Sequence, residues 1–401
     1  MSKKSRYNFD KIIDRTQTSS VKWDNDFMKK YFKYDELLPL WVADMDFRAP
    51  EELLDALRKR VNHGIFGYTI TPDSYYDAII SWFKRRHGWS LEKDWIKFAP
   101  GVVPAINFII QYFSHPGDNI IIQEPVYYPF ASQIKSNGRN VVNNQLVIKD
   151  NRYEMDFEDL EKKCKEPRTK LLILCSPHNP VGRVWAKKEL TKLGKICNEN
   201  NVLVVSDEIH CDLIFPGYKH IPYATISKEF AQKSITCVAP SKTFNVAGLK
   251  SSNVIMPNKI LCDEFVAKCG TLSIRGPSII GAVATEAVYN DCEEWLDELL
   301  EYLWENFEFL KSYFADYKPD IEVFNLEGTY LPWVDFRKLD IDPKELDRCI
   351  KEDGKVCLDD GAMFGESGKG FQRFNIACPR AILEDALKRI TTALDKGKKK
   401  E

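Results

Sequence analysis

Residues 171–208, "LLILCSPHNPVGRVWAKKELTKLGKICNENNVLVVSDE", hold a complete structural unit. Two continuous apolar runs, 171–177 and 202–208, flank a segment (186–201) in which Leu190, Leu193 and Cys197 recur at helical spacing. Runs that are apolar at every position, rather than at alternate ones, suit strands covered on both faces. Strand, helix, strand is βαβ order, and it predicts an open sheet with helices on both sides.

Similar runs occur on either side: "NIIIQEP" (119–125), "SITCV" (234–238) and "NVIM" (253–256). From about residue 95 to 260 the chain therefore predicts a large α/β domain with a mostly parallel sheet. After about residue 285 the texture changes. "EEWLDELLEYLWENFEFLKSYF" (293–314) is a long amphipathic helix with Trp295, Leu299, Leu303, Phe307 and Leu310 near one face. Strand-like "TYLPWVDF" (329–336), "KVCLDD" (355–360) and "FQRFNIA" (371–377) follow, and a helix over 380–397 ends the pattern. The expected division is a large domain over 46–288 and a smaller α+β domain built from 1–45 and 289–401.

The 401 residues exceed one ordinary core. A formal charge of −2, from 57 basic and 59 acidic residues, carries no polyanion-binding signature, so nucleic acid is not an expected partner. The eleven cysteines are an odd number with no C-x-x-C pair and no matched histidine spacing, which argues against a disulfide framework or a zinc site and for a reducing compartment. The start "MSKKSRYNFDK" has no apolar signal core, and no stretch approaches the ~18 apolar residues of a membrane span. A cytoplasmic protein acting on small molecules is the expectation.

In an open α/β sheet, ligands gather at the carboxyl ends of the strands. "SPHNPVG" with Asn179 follows "LLILC", "DEIHCD" begins at Asp207 after "VLVVS", and "APSK" ends at Lys242 after "SITCV". Each has a plainer explanation. Asn179 suits a turn, Asp207 a helix cap, and Lys242 a wet surface. Those three explanations are independent, so together they account poorly for an amide, a carboxylate and an amine on corresponding strand ends.

Upstream, "FAPGVVPAINFIIQYF" (98–113) places Gly101 before a helix whose core face would be Ile106, Ile109, Ile110 and Phe113. The amides of Val102 and Val103 would be free at its start, as an anion cradle requires. Tyr127, in "EPVYYPF", follows another strand end, where an aromatic ring could stack on a flat ligand. "FGESGKG" (364–370) imitates a phosphate loop, but Met363 and Gly370 stand where that motif needs Gly and Ser or Thr. No G-x-G-x-x-G follows a strand either.

With these residues in place, the chain resembles the fold-type I pyridoxal-phosphate enzymes of the class I/II aminotransferase superfamily from about residue 35 onward. "LPLWVADMDF" (38–47), "FGYT" (66–69), "SPHNPVGRVW" (176–185), "SDEIHCDL" (206–213), "APSKTFNVAGL" (239–249) and "RFNIACPR" (373–380) are similar to the MalY/PatB branch of carbon–sulfur β-lyases. The resemblance implies a fold-type I architecture with pyridoxal 5'-phosphate bound covalently to Lys242. It implies Asp207 against the pyridine nitrogen, Asn179 on the ring's phenolic oxygen and Tyr127 on its face. Val102, Val103, Ser241 and Lys250 would hold the phosphate, joined by Tyr68 from a second subunit of a homodimer. Arg373 would fork onto the substrate carboxylate, with Trp41, Ala43 and Asn179 beside the substrate. His210 is better placed behind the site or as a structural residue. Ala239 departs from the hydroxyl residue that many aminotransferases carry three positions before the lysine, and Ser241 would take over that contact.

The implied catalytic list, Lys242, Asp207 and Tyr127, serves two reactions. A lyase would expel a thiol from the β-carbon and release pyruvate and ammonia. An aminotransferase would return the proton to the cofactor instead. The branch motifs favour elimination. A catalytically silent regulator on the same fold is a third class, disfavoured because Lys242, Asp207 and Arg373 are retained and only about 35 residues precede the first motif.

Overall fold

A computed structural model describes residues 6–397. The chain divides into two compact units, one formed by Ala49–Asn179 and Arg183–Leu296, the other by the chain up to Arg48, Pro180–Gly182 and the chain from Asp297 onward.

The larger unit is built on a 7-stranded sheet of β1 (Ile96–Ala99), β2 (Asn119–Ile122), β3 (Asn140–Asn143), β4 (Thr169–Cys175), β5 (Leu203–Asp207), β6 (Ser234–Val238) and β7 (Ser252–Ile255). Their order across the sheet is β1-β7-β6-β5-β4-β2-β3. Strands β6, β5, β4, β2 and β3 pair in parallel, whereas β7 runs antiparallel to both β1 and β6. The helix between β4 and β5 spans Lys187–Glu199, as the spacing of Leu190, Leu193 and Cys197 predicts. Successive strand residues point to opposite faces. Leu171, Leu172, Ile173 and Leu174 are all 0% exposed, so both faces of β4 are covered. Each such side chain contributes about 1.5–3 kcal/mol through burial.

Two features depart from the sequence expectation. The link from β6 to β7 contains no crossover helix, only the short turns Pro240–Thr243 and Ala247–Leu249, and for that reason β7 is antiparallel. Strands β1 and β3 carry no continuous apolar run. β1 interleaves Lys97 with Ile96 and Phe98, and β3, "NVVN", is an edge strand that buries no residue fully.

The smaller unit holds a 4-stranded antiparallel sheet of β8 (Glu322–Val323), β9 (Trp333–Asp335), β10 (Asp359–Asp360) and β11 (Phe371–Arg373), in the order β8-β9-β11-β10. Leu38–Pro39 pairs in parallel with Val356–Cys357, tying the early chain to this unit. The long helix spans Glu293–Tyr317, and Trp295, Leu299, Leu303, Phe307 and Leu310 are 0–1% exposed. No described helix is long and apolar enough to cross a membrane. All eleven cysteines are buried, and none forms a disulfide.

Candidate active site

Strands β4, β5 and β6 are parallel neighbours, and in register Asp207 lies opposite Cys175 on one side and Cys237 on the other. The segments carrying Asn179, Asp207 and Lys242 therefore leave the sheet at one edge. Asn179 is 3% exposed, and its backbone N–H lies 3.4 Å from Cys175 Sγ. Its turn is closed by a bridge between His178 and Arg183. His178 Nε2 donates to the Pro125 carbonyl at 2.9 Å, and burial pushes this imidazole down to about 4, so it stays neutral. Arg183 grips Glu189 at 3.0 Å and the Tyr153 carbonyl. In the smaller unit, Gly182 has φ +69°, and a Cβ there would meet Leu326 Cδ1 at 2.7 Å, so only glycine serves this turn.

Asp207 ends β5 and no helix follows it, which removes the capping explanation. Its Oδ1 accepts the Ile209 N–H at 3.1 Å. Burial pushes the carboxyl up to about 7, against the opposing pull of the Ile209 N–H and the positive charge of Lys242. Lys242 is half-buried in the turn Pro240–Thr243, close enough for its charge to act on Asp207. The solvent-facing explanation for this lysine fails as well.

Tyr127 is half-buried beside the sheet core, edge-on to Phe130 with ring centroids 5.7 Å apart. Val102 and Val103 open the helix Val102–Phe113 directly after Gly101, where a Cβ would crowd Pro104 Cδ at 3.2 Å. Ser241 is half-buried next to Lys242. Lys250 is exposed and lines an open cavity of about 530 Å³ with Phe98, Pro100, Arg275 and Ser278. Tyr68 is fully exposed, at 112%. His210 is buried, and its backbone carbonyl accepts the Leu213 N–H at 3.0 Å.

In the smaller unit, Arg373 is the last residue of β11 and 3% exposed. Its Nη2 donates to the Trp41 carbonyl at 2.9 Å and to the carboxylate of Asp359, its register partner on β10. The guanidinium lies 4.8 Å over the Phe364 ring. Two residues on, the amide of Asn375 donates to the carbonyls of Val42 and Asp44 at 2.6 Å each, and Tyr330 donates to the Ala43 carbonyl at 2.8 Å. The segment carrying Trp41 and Ala43 thus hangs from the strand that carries Arg373. Asp46 anchors its far end by accepting from Lys22 at 2.8 Å and from Trp23 Nε1 at 2.7 Å. These supporting groups, Asp359, Asn375 and Asp46, escape a sequence reading because their partners are remote in the chain. The one available signal is that Asn375 and Asp46 lie inside the motifs "RFNIACPR" and "LPLWVADMDF".

An open, mostly parallel sheet with an amine, an acid and an amide at one edge is the arrangement of the class I/II aminotransferases. Residues 35–390 match the family described as aminotransferase class I and II, and the chain belongs to it. Among its relatives, the cystathionine beta-lyase PatB of Bacillus subtilis is 44% identical, over 96% of this chain and 100% of that one. A PLP-bound Clostridium difficile 630 protein, provisionally called an aminotransferase, is 47% identical with a TM-score of 0.94, covering 97% of this chain and 100% of that chain. Cystalysin of Treponema denticola, which contains pyridoxal 5'-phosphate, is 39% identical with a TM-score of 0.94, covering 97% and 99%.

Proposed function

We propose that the protein is a PLP-dependent carbon–sulfur β-lyase that converts cystathionine or related cysteine S-conjugates to a thiol, pyruvate and ammonia. The observation that carries the cofactor assignment is the fully buried Asp207 with the Lys242 charge acting on it at neighbouring strand ends. A buried carboxyl raised to about 7 suits a protonated ring nitrogen, whose charge would keep it ionised. Full-length likeness to PatB supports the lyase assignment.

When bound, PLP supplies an electron sink for the bond next to the substrate's amine. Lys242 would hold the cofactor covalently, and its Nζ would be the base that takes the substrate's α-proton. Asp207 would keep the ring nitrogen protonated, Asn179 would donate to the ring oxygen, and Tyr127 would cover the ring face. The amides of Val102 and Val103, the Ser241 hydroxyl and Lys250 would take the phosphate. Arg373, already turned by Asp359, takes the α-carboxylate with its planar fork, with Trp41 and Ala43 alongside. In this scheme the large domain (46–288) binds the cofactor and the small domain (1–45 and 289–401) binds the carboxylate.

The active form is a homodimer in which Tyr68 completes the phosphate site of the other subunit. The exposed apolar residues Ile65 (67%), Phe66 (56%) and Ile70 (88%) beside Tyr68 support that assignment. Eleven buried cysteines, none of them in a disulfide, support a cytoplasmic location. Transamination is the second reading, favoured by family membership and by the Clostridium difficile relative.

The test is to incubate holoenzyme with L-cystathionine and no keto acid, following pyruvate and thiol. Sustained, equimolar release establishes elimination. Turnover that appears only when 2-oxoglutarate is added makes the protein an aminotransferase.

A further inference from the structure

Asp212 is 4% exposed, and no role described so far uses it. Its Oδ2 accepts the Thr243 hydroxyl at 2.8 Å, and its Oδ1 accepts Trp82 Nε1 at 3.0 Å and His87 Nε2 at 2.7 Å. Thr243 is 0% exposed, directly follows Lys242 and ends the same helical turn. The His87 ring meets His220 edge-on, with centroids 5.6 Å apart. His220 Nε2 in turn lies 2.9 Å from Glu208, the residue after Asp207. Glu208 also accepts from Ser206 Oγ at 2.8 Å and from the Tyr223 N–H at 2.9 Å. Two buried histidine–carboxylate pairs thus stand back to back. One is joined to the chain beside Asp207, the other to the chain beside Lys242.

Burying a carboxylate costs several kcal/mol, and an apolar residue of similar size would fill the space without that cost. Burial raises the Asp212 carboxyl, yet the bonds from His87, Thr243 and Trp82 outweigh it and hold the group below the usual carboxylate range. An ionised acceptor makes a short, directional bond with a hydroxyl, and that bond fixes the rotamer of Thr243. His87, Cys211 and Asp212 have ligand-type atoms within 4.8 Å of one another, but the Asp212 oxygens already carry three donors. The cluster is therefore a hydrogen-bonded brace and not a metal site.

We propose that Asp212, oriented by His87, is a positioning residue that sets Lys242 against Asp207 through the hydroxyl of Thr243. This rests on Lys242 carrying the cofactor but not on which reaction follows. The first reading is accordingly taken on resting holoenzyme without substrate: the visible absorbance and circular dichroism of the bound cofactor. kcat and KM are read second, on whichever substrate turns over.

Thr243→Val removes the link and leaves the His87–Asp212 pair in place. It is expected to retain the far-ultraviolet spectrum but to change the visible dichroism. Losing one hydrogen bond to a charged group lowers kcat roughly tenfold, with KM within about twofold. Thr243→Ser is expected to restore both signals. Asp212→Asn should change them in the same direction, and it serves as the deciding variant if Thr243→Val does not fold. Unchanged visible dichroism and kcat in the substituted proteins overturns the proposal, even if the melting temperature falls. So does a Thr243→Ser variant as impaired as Thr243→Val.

Discussion

Asp207 shows most clearly how one residue's surroundings set its chemistry. In the unfolded chain it releases its proton near the ordinary 3.8, whereas burial in the fold raises that point to about 7. Between those values the folded apoprotein holds a proton that the unfolded chain has lost. Stability from this group is therefore highest below pH 4, falls as pH rises, and levels off above 7, a total loss of about 4 kcal/mol. Asp207→Asn, neutral throughout, is expected to give an apoprotein more resistant to urea than the original at pH 8 and nearly equal at pH 4. Parallel pH profiles for the two proteins would contradict this. Lys242→Ala should fold, because the residue is only half-buried, and should lose turnover by at least about a thousandfold in a pyruvate assay. The placing of Asn179, Asp207 and Lys242 at neighbouring strand ends was legible in the sequence because each follows an apolar run. Asp212 and Thr243 were not, because their value lies in a bond between residues 31 positions apart.

Among the elements, legibility follows burial. Strands β2, β4, β5 and β6 are mostly buried on both faces, so each carries a largely apolar run that stands out. Strands β1, β3 and the two-residue β8 have no such signature, whereas β9, β10 and β11 lie inside the strand-like stretches 329–336, 355–360 and 371–377. The pairing of β10 with β11 sets Asp359 beside Arg373, and neither "KVCLDD" nor "RFNIACPR" reveals it alone. Burial raises the Asp359 carboxyl, and the neighbouring guanidinium works to keep it charged. Asp359→Asn leaves a buried guanidinium without its counter-charge and is expected to cost about 3–5 kcal/mol in urea unfolding. If Arg373 binds the carboxylate, the same variant raises KM more than it lowers kcat. An unchanged unfolding midpoint would mean the ion pair contributes nothing to the sheet.

For the whole molecule, what the sequence conveys least is assembly. Val61, in the last turn of the helix Glu51–Asn62, and Ile65, Phe66, Tyr68 and Ile70 beyond it are all more than half exposed, at 52%, 67%, 56%, 112% and 88%. An apolar run left open to water on this scale is expected to be covered. Sedimentation should show a dimer, and Ile70→Asp should yield monomers with little activity. A fully active monomer would contradict the shared site. The central claim, that this fold presents Lys242 as the cofactor-bearing amine, is tested most directly by hydride reduction. Borohydride fixes the bond between the lysine nitrogen and the cofactor, and mass spectrometry of the intact chain and its peptides then locates it. One cofactor per chain is expected on the peptide containing Lys242. A cofactor on Lys250 or any other lysine, or none on the reduced holoenzyme, would contradict it.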